Sequence, residues 1–199
     1  MPEAGRRTRL RRASSLLHEA GFEIRNNRLV SPETGKAVIF ELLVNSAEAE
    51  KLAVAYRRNL ETLGIGLKIQ RADSAVYQGR LEGFDYDLVS YQWDTTLSPG
   101  TEQKLYFGSQ AADTPGSRNY AGIRDPQVDR LIEKLVRTKS YQALTTTMHK
   151  LDRALISGYY GTPLYYFPDD RLAFQDSLRH PAVTPVYGPV LETWWSEKD

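Results

Sequence analysis

The sequence predicts an α/β fold in which helices flank a parallel or mixed β-sheet. Three extended apolar segments alternate with two helical segments between residues 37 and 93. Strands that alternate with helices favour right-handed crossovers and a sheet with parallel pairs. A chain of 199 residues is long enough to bury a sizeable core. The predicted strands are residues 37–44, 67–71 and 86–93, and the helices between them are 47–63 and 75–82.

The first strand and the first long helix are predicted from their apolar patterns. Residues 37–44, AVIFELLV, are apolar at every position except Glu41, which is typical of a strand buried on both faces. Asn45 or Ser46 can cap the helix that follows, and Asp73 or Ser74 can cap the shorter helix. The apolar stripe expected to face the core along helix 47–63 consists of Leu52, Tyr56, Leu60 and Leu63.

The N-terminal segment is basic, with five arginines among the first twelve residues. Residues 10–20 form a short helix in this prediction, and the Asn26-Asn27 pair that follows is typical of a tight hairpin. The arginines could belong to an export signal or to an arm that binds nucleic acid. An export signal requires an apolar stretch after the basic residues, and this sequence has none there. A solvated helix face is favoured. The net charge of +1 also argues against a nucleic-acid partner.

Two amphipathic helices are predicted in the C-terminal half. The Asp125-Pro126 pair begins a helix over 126–138, and Ser140 caps a second helix over 141–157. Both carry an apolar stripe, so we expect them to pack on the sheet together with helix 47–63. Residues 162–167, TPLYYF, are predicted to form another strand.

The candidate binding site lies where the third strand ends. Residues 86–94, YDLVSYQWD, end on a carboxylate, and a long loop with Pro, Gly and aromatic residues follows. In open α/β sheets, ligands bind outside the carboxyl ends of the strands. Asp94 is alternatively a loop or cap residue, and Tyr91 and Trp93 are alternatively part of the core. The candidate ligand-binding residues are Trp93, Asp94, Tyr91, Tyr120 and Asn119.

The sequence offers no set of residues that is typical of an enzyme. It contains no cysteine, no G-x-S-x-G motif and only three scattered histidines, at positions 18, 149 and 180. Residues 64–66, GIG, follow a helix and lack the spacing of a dinucleotide-binding motif. We therefore expect no catalytic residues, metal ligands or cofactor. A stand-alone interaction domain stays open as an alternative, and a hydrolase is disfavoured.

An ordered series of segments resembles one protein family. The series comprises SLLHEAGF at 15–22, the stretch from AVIFELLV to QRAD at 37–73, YDLVSYQWD at 86–94, NYAGIRDPQVDRLIEKL at 119–135, MHKLDRALI at 148–156 and TPLYYF at 162–167. Together they resemble the C-terminal part of the extracellular solute-binding proteins of oligopeptide and dipeptide ABC transporters. The resemblance implies a class II periplasmic-binding-protein fold, a peptide ligand, an ABC permease as partner and a periplasmic location for the full-length family member.

The resemblance also implies a domain organisation and a role for Asp94. Residues 1–170 would form the second large lobe of a bilobal protein, and residues 171–199 would cross back to a first lobe. On this view the chain is a fragment that lacks the first lobe and a signal peptide, and its aromatic tail favours self-association. Asp94 corresponds to the acidic residue that meets a peptide's terminal amine, although WDTTLSPG departs from the family's usual aspartate-proline sequence.

Overall fold

The computed structural model describes residues 5–93, 96, 98–165 and 169–197. Contacts between backbone positions divide the chain into two compact units, Met1–Gly161 and Thr162–Asp199. The division falls after Gly161, and the lobe of residues 1–170 with a tail of residues 171–199 stays a prediction. The candidate site lies in the first unit.

A three-stranded parallel sheet forms the centre of the first unit. Its strands are β3 (Ile39–Val44), β4 (Gly66–Arg71) and β5 (Leu88–Val89), in the order β4-β3-β5. The register places Phe40 opposite Leu67 and Leu43 opposite Val89. Helices connect the parallel strands, so the predicted α/β fold is confirmed.

Of the six α-helices in the described residues, five lie where the sequence placed helices, and the short α4 lies within the long loop after the third strand. Side-chain oxygens of Ser46, Asp73, Asp125 and Ser140 accept hydrogen bonds from backbone N–H groups in the first turns of four of them. Among the alternatives that the sequence left open, Ser46 and Asp73 are the caps. The helices are α1 (Arg6–Glu19), α2 (Ala47–Glu61), α3 (Ser74–Glu82), α4 (Glu102–Phe107), α5 (Pro126–Val136) and α6 (Tyr141–Ser157).

The predicted hairpin is present before the sheet. Strands β1 (Glu23–Arg25) and β2 (Arg28–Val30) pair in antiparallel fashion. Asn26 and Asn27 have φ values of 51° and 60°, and asparagine tolerates this left-handed region better than most residues. The N–H of Leu29 donates to the carbonyl of Gly64 at 2.8 Å, which fixes the hairpin beside the start of β4.

Two hydrophobic clusters cover the two faces of the sheet. One contains Leu42, Val44, Ala53 and Leu67, and the other contains Leu43, Tyr77 and Leu81. Helix α2 covers the first face and α3 the second, and successive residues of β3 therefore point into different clusters.

The burial predicted for β3 and α2 is partly wrong. The first two residues of β3, Ile39 and Phe40, are 46% and 39% exposed, because the clusters cover only the carboxyl half of the strand. Helix α2 packs through Ala49, Ala53 and Leu60, while Leu52 and Tyr56 lie on its exposed side. The small alanine side chains let the helix approach the sheet closely, and of the predicted stripe Leu60 packs there while Leu52 and Tyr56 face away.

Glu41 interrupts the apolar pattern of β3 because it has a charged partner. Arg80 of α3 donates to the Glu41 carboxylate at 2.7 Å and to Asp85 at 2.9 Å. The N–H of Glu41 also donates to the Asp87 carboxylate at 2.8 Å. These contacts join the middle of β3 to α3 and to the segment that enters β5.

Helices α5 and α6 do not pack on the sheet as predicted. They pack on each other, and α4 packs on α5. Their cluster consists of Ile123, Val128, Ile132 and Leu151, with Phe107 and Tyr160 among the half-buried residues around it. Among the described residues of this cluster, none belongs to β3, β4 or β5. The sheet faces are already covered by α2 on one side and by α3 with aromatic loop residues on the other.

The strands predicted at 86–93 and 162–167 also require correction. Strand β5 contains only Leu88 and Val89. The carbonyl of the next residue, Ser90, accepts a hydrogen bond from the Tyr77 hydroxyl at 2.7 Å. Residues 162–165 have no regular structure, and the rest of that predicted strand lies outside the described residues.

The second unit contains a short ribbon of strands β6 (Leu178–Arg179) and β7 (Trp195–Ser196). Beside it, the rings of Phe174, His180 and Trp194 lie within 4.9 to 5.4 Å of one another, measured between centroids. Many other apolar side chains of this unit are exposed, including Val183, Val186, Tyr187 and Leu191. In the described part of the whole chain, none of the helices has the length and apolar character of a membrane span.

Candidate functional site

The candidate site begins at the carboxyl end of β5. The N–H of Ser90 donates to the carbonyl of Leu43 at 3.3 Å, and the Ser90 carbonyl accepts from Tyr77. These two bonds hold the chain at the edge of the sheet before it enters the long loop. The side chains that follow, Tyr91 and Trp93, are therefore positioned by β3 and α3.

Four rings from three separate segments form an aromatic cluster, which consists of Tyr91, Trp93, Phe107 and Tyr120. The ring centroids of Tyr91 and Tyr120 are 4.5 Å apart, and those of Tyr91 and Trp93 are 5.4 Å apart. Trp93 also lies 5.6 Å from Phe107. All four side chains are half-buried, so the cluster combines packing with an accessible apolar surface.

Hydrogen bonds fix the aromatic cluster to the backbone of the loop. The indole N–H of Trp93 donates to the carbonyl of Arg118 at 3.3 Å, and the hydroxyl of Tyr86 donates to the carbonyl of Tyr120 at 3.0 Å. Burial raises the pKa of Tyr77 and of Tyr86 to about 12, and it also raises the pKa of Tyr120. These hydroxyls are therefore neutral hydrogen-bonding groups at physiological pH.

Asn119 holds the loop together from within. Its side-chain amide donates to the carbonyls of Gly108 and Ile123, each at 3.0 Å, and accepts from the N–H of Ile123 at 2.9 Å. The residue is fully buried. The predicted direct contact between Asn119 and a ligand therefore has no support in this arrangement. Its contacts instead position the neighbouring residues Arg118 and Tyr120.

Further polar contacts fasten α4 and the turn after it to α5. The backbone N–H and the hydroxyl of Ser109 donate to the two oxygens of Asp129, at 2.9 and 2.6 Å. Lys104 donates to Glu133 at 2.6 Å, and this hydrogen bond lowers the pKa of the Glu133 carboxyl. The loop that carries the aromatic cluster is thus attached to a helix as well as to the sheet.

The structure brings together three of the five predicted site residues. Tyr91, Trp93 and Tyr120 are in mutual contact, whereas the Asn119 side chain is fully buried. Asp94 lies outside the described residues, and its predicted role is not assessed by the structure. Among the side chains that the structure describes, no group of His, Cys, Asp or Glu is arranged to hold a metal ion.

Two residues at the site were not predicted from the sequence: Phe107, which belongs to the aromatic cluster, and Arg118, which lies beside it. Arg118 is half-buried, and its guanidinium carbon lies 5.9 Å from the centroid of the Tyr106 ring. Its Nη1 atom donates to the Tyr106 hydroxyl at 3.5 Å. A lone arginine between Ser117 and Asn119 gives no signal in the sequence, because its importance depends on rings from other segments.

Comparison with known proteins identifies the family. The model of the middle region of bacterial extracellular solute-binding proteins, family 5, matches residues 2–114. The uncharacterized protein y4wM of Sinorhizobium fredii is 43% identical over 96% of this chain. Two proteins of Agrobacterium fabrum, the probable peptide-binding protein YejA and the peptidoglycan-binding protein YepA, are 36% and 35% identical over 98% and 95% of it.

A solved structure shows the same fold. The oligopeptide-binding protein AppA of Bacillus subtilis, determined with a nonapeptide, matches 94% of this chain with a TM-score of 0.75 and 22% identity. The match covers 37% of the AppA chain, and the chain spans 29% to 32% of the length of the three curated relatives. The family model covers more than half of the sequence, and the chain therefore belongs to the bacterial extracellular solute-binding proteins of family 5.

Proposed function

We propose that this chain supplies one lobe of a two-lobed protein that captures peptides and delivers them to an ABC permease. The observation that carries the proposal is the aromatic cluster, which is half-buried and lies at the carboxyl edge of a parallel sheet. This edge is where open α/β sheets bind ligands. Residues 1–170 would form the second large lobe, and the site of action would be periplasmic.

Within the site, the rings of Tyr91, Trp93 and Tyr120 would form one wall of a groove for the peptide. Aromatic rings offer a large apolar surface that accepts varied side chains. Asp94 follows Trp93 directly in the sequence and would meet the terminal ammonium of the peptide. A hydrogen bond between two charged groups is roughly twice as strong as a neutral one.

The names of the relatives support a peptide-like ligand. YejA of Agrobacterium fabrum is a probable peptide-binding protein, and AppA of Bacillus subtilis was determined with a nonapeptide. YepA is a peptidoglycan-binding protein at nearly the same identity, which favours cell-wall fragments as a second candidate class. Membership of a family of solute-binding proteins also supports a role in capturing a ligand rather than in catalysing a reaction.

Residues 171–199 would pass to the other lobe in this proposal. The apolar surface of the second unit supports this part of the proposal, because Val186, Tyr187 and Leu191 are 78%, 77% and 65% exposed. Such side chains are normally covered by a partner. We expect the chain by itself to self-associate, and light scattering over a concentration series should show a mass that rises with concentration. A constant monomer mass would contradict this expectation.

The role of Asp94 can be tested by changing its charge. Replacement of Asp94 by Asn should weaken binding of peptides with a free amino terminus about tenfold, and binding of the N-acetylated peptides should change little. Only the free peptides carry the ammonium that the carboxylate would meet. NMR titration is the suitable measurement, because one lobe provides only part of the contacts and is expected to bind weakly.

A matched control for this experiment is Asp113→Asn. Asp113 lies in the same loop, is exposed, and pairs with Arg124 rather than with the aromatic cluster. It should leave both peptide affinities unchanged. Equal losses for free and acetylated peptides in the Asp94 variant would show that Asp94 is a structural cap. Release of cleaved peptides would indicate a hydrolase, and the absence of any peptide binding would favour an interaction domain.

A further inference from the structure

We propose that helix α1 docks on a membrane surface that carries anionic phospholipids. The contact would be made by a basic surface, which consists of Arg7, Arg9, Arg11 and Arg12. All four side chains are exposed, in agreement with the solvated helix face that the sequence favoured. The proposal goes beyond the capture of a ligand, because it concerns a helix that contributes no ring to the aromatic cluster.

The first observation is that the charges of α1 have one sign. The helix contains five arginines and one acidic residue, Glu19, which is its last residue. Helix α5 carries both signs in alternation, with the residues Asp129, Arg130, Glu133 and Lys134. A block of positive charge in a chain of net charge +1 indicates a surface that meets a negatively charged partner.

The second observation is that the protein itself neutralises little of this charge. Arg12 lies 3.5 Å from Glu19, and both side chains are more than half exposed, so the pair is weak. Within the described ranges, no carboxylate lies at ion-pair distance from Arg7, Arg9 or Arg11. The basic surface therefore keeps most of its charge for a partner outside this chain.

The third observation is that the first arginines oppose the dipole of their own helix. The amino-terminal end of a helix has a positive partial charge, so acidic residues are favoured there and cations are not. Helix α1 begins with Arg6 and Arg7, has no acidic residue in its first turn, and receives no side-chain cap from Gly5. The stability of the helix therefore does not account for these arginines, whereas the binding of an anionic surface does.

The attachment of α1 leaves the basic surface accessible. Leu10, Ala13 and Leu17 are half-buried and form the inner side of the helix. With about 3.6 residues per turn, Arg11 and Arg12 lie on the outer side, turned away from these three. The helix has 14 residues and is about 21 Å long, so its outer side can meet several lipid headgroups at once.

A membrane fits this helix better than a nucleic acid does. Leu16 is 47% exposed and lies one turn after Arg12, so an apolar side chain stands beside the basic surface. Arginines combined with exposed leucine are typical of helices that lie in the headgroup layer of a membrane. Helix α1 contains no aromatic residue that could stack on a base.

The experiment is co-sedimentation of the chain with vesicles made of equal parts of phosphatidylglycerol and phosphatidylcholine. We expect the wild-type chain to bind these vesicles at low salt, to be released as salt screens the charges, and to bind pure phosphatidylcholine vesicles far more weakly. The triple variant Arg7→Gln, Arg9→Gln and Arg11→Gln should lose about a hundredfold in affinity, because each arginine near an anionic membrane contributes about fivefold. Lysine at the same three positions should preserve most of the affinity, because it keeps the charge.

The control is a second triple variant, Arg130→Gln, Lys134→Gln and Arg137→Gln, which removes the same charge from exposed positions of α5 and of the residue that follows it. It should bind the vesicles as wild type does. The inference is wrong if this control loses as much affinity as the α1 variant, or if the lysine variant loses as much as the glutamine variant. It is also wrong if wild type binds pure phosphatidylcholine vesicles equally well, binds a short DNA duplex as tightly as the anionic vesicles, or binds no vesicles. The proposed function would stand in each case, because the peptide titration measures it separately.

Discussion

Replacement of Asn119 by alanine should lower the free energy of unfolding by about 3 kcal/mol, one of the two largest losses expected for a single change in this chain. The variant would leave the carbonyls of Gly108 and Ile123 and the N–H of Ile123 without their present partner. Because Asn119 is fully buried, these backbone groups would lose a partner away from solvent. Urea unfolding followed by circular dichroism measures the loss.

A matched control in the same loop is Gln110→Ala. Gln110 is exposed, and substitutions at such positions usually change stability by less than about 0.5 kcal/mol. If the Asn119 and Gln110 variants lose the same stability, the hydrogen bonds of Asn119 are not what holds the loop. The Asn119 variant should also weaken ligand binding, because Arg118 and Tyr120 lose their anchor.

Replacement of Leu43 by alanine should cost about 3 kcal/mol of stability through a different mechanism. Leu43 is completely buried in the middle strand of the sheet and packs with Tyr77 and Leu81. Truncation removes apolar contacts and leaves a cavity that its neighbours fill only partly. The same urea unfolding measurement reports the loss of stability.

Strand β3 provides its own control for the Leu43 variant. Ile39 belongs to the same strand but is 46% exposed, so Ile39→Ala creates no closed cavity. We expect it to lose less than half as much stability as Leu43→Ala. Similar losses at both positions would mean that the exposed half of β3 contributes to folding as much as the covered half.

The local features of this fold could be predicted from the sequence because they depend on neighbouring residues. The hairpin at Asn26-Asn27 and the helix starts at Asp125 and Ser140 follow from turn and cap chemistry within a few positions. The exposure of Leu52 and Tyr56 could not be predicted in this way. Both sides of α2 carry apolar residues. The side with Ala49 and Ala53 packs against the sheet because its small side chains allow a close approach.

The packing partners of the long helices were harder to predict, because they depend on residues that are distant in the sequence. An amphipathic stripe shows that α5 needs an apolar partner, but it does not say whether that partner is the sheet or α6. At the site, the sequence grouped Tyr91, Trp93 and Tyr120, and their rings are in contact because a strand end and the following loop meet there, while their contact with a ligand stays a prediction. Arg118 was missed because its environment comes from residues distant in sequence.

The position of Trp93 has a consequence for local unfolding. Its ring touches Phe107, which packs with the α5 and α6 cluster, and Tyr120, which packs with the sheet. Two hydrophobic clusters that share few contacts can open separately, and each then has its own rate of amide hydrogen exchange. Trp93 joins the two clusters at their boundary. We therefore expect a ligand that binds against this ring to make their openings cooperative, so that protection from exchange would rise in the sheet and in the helices together.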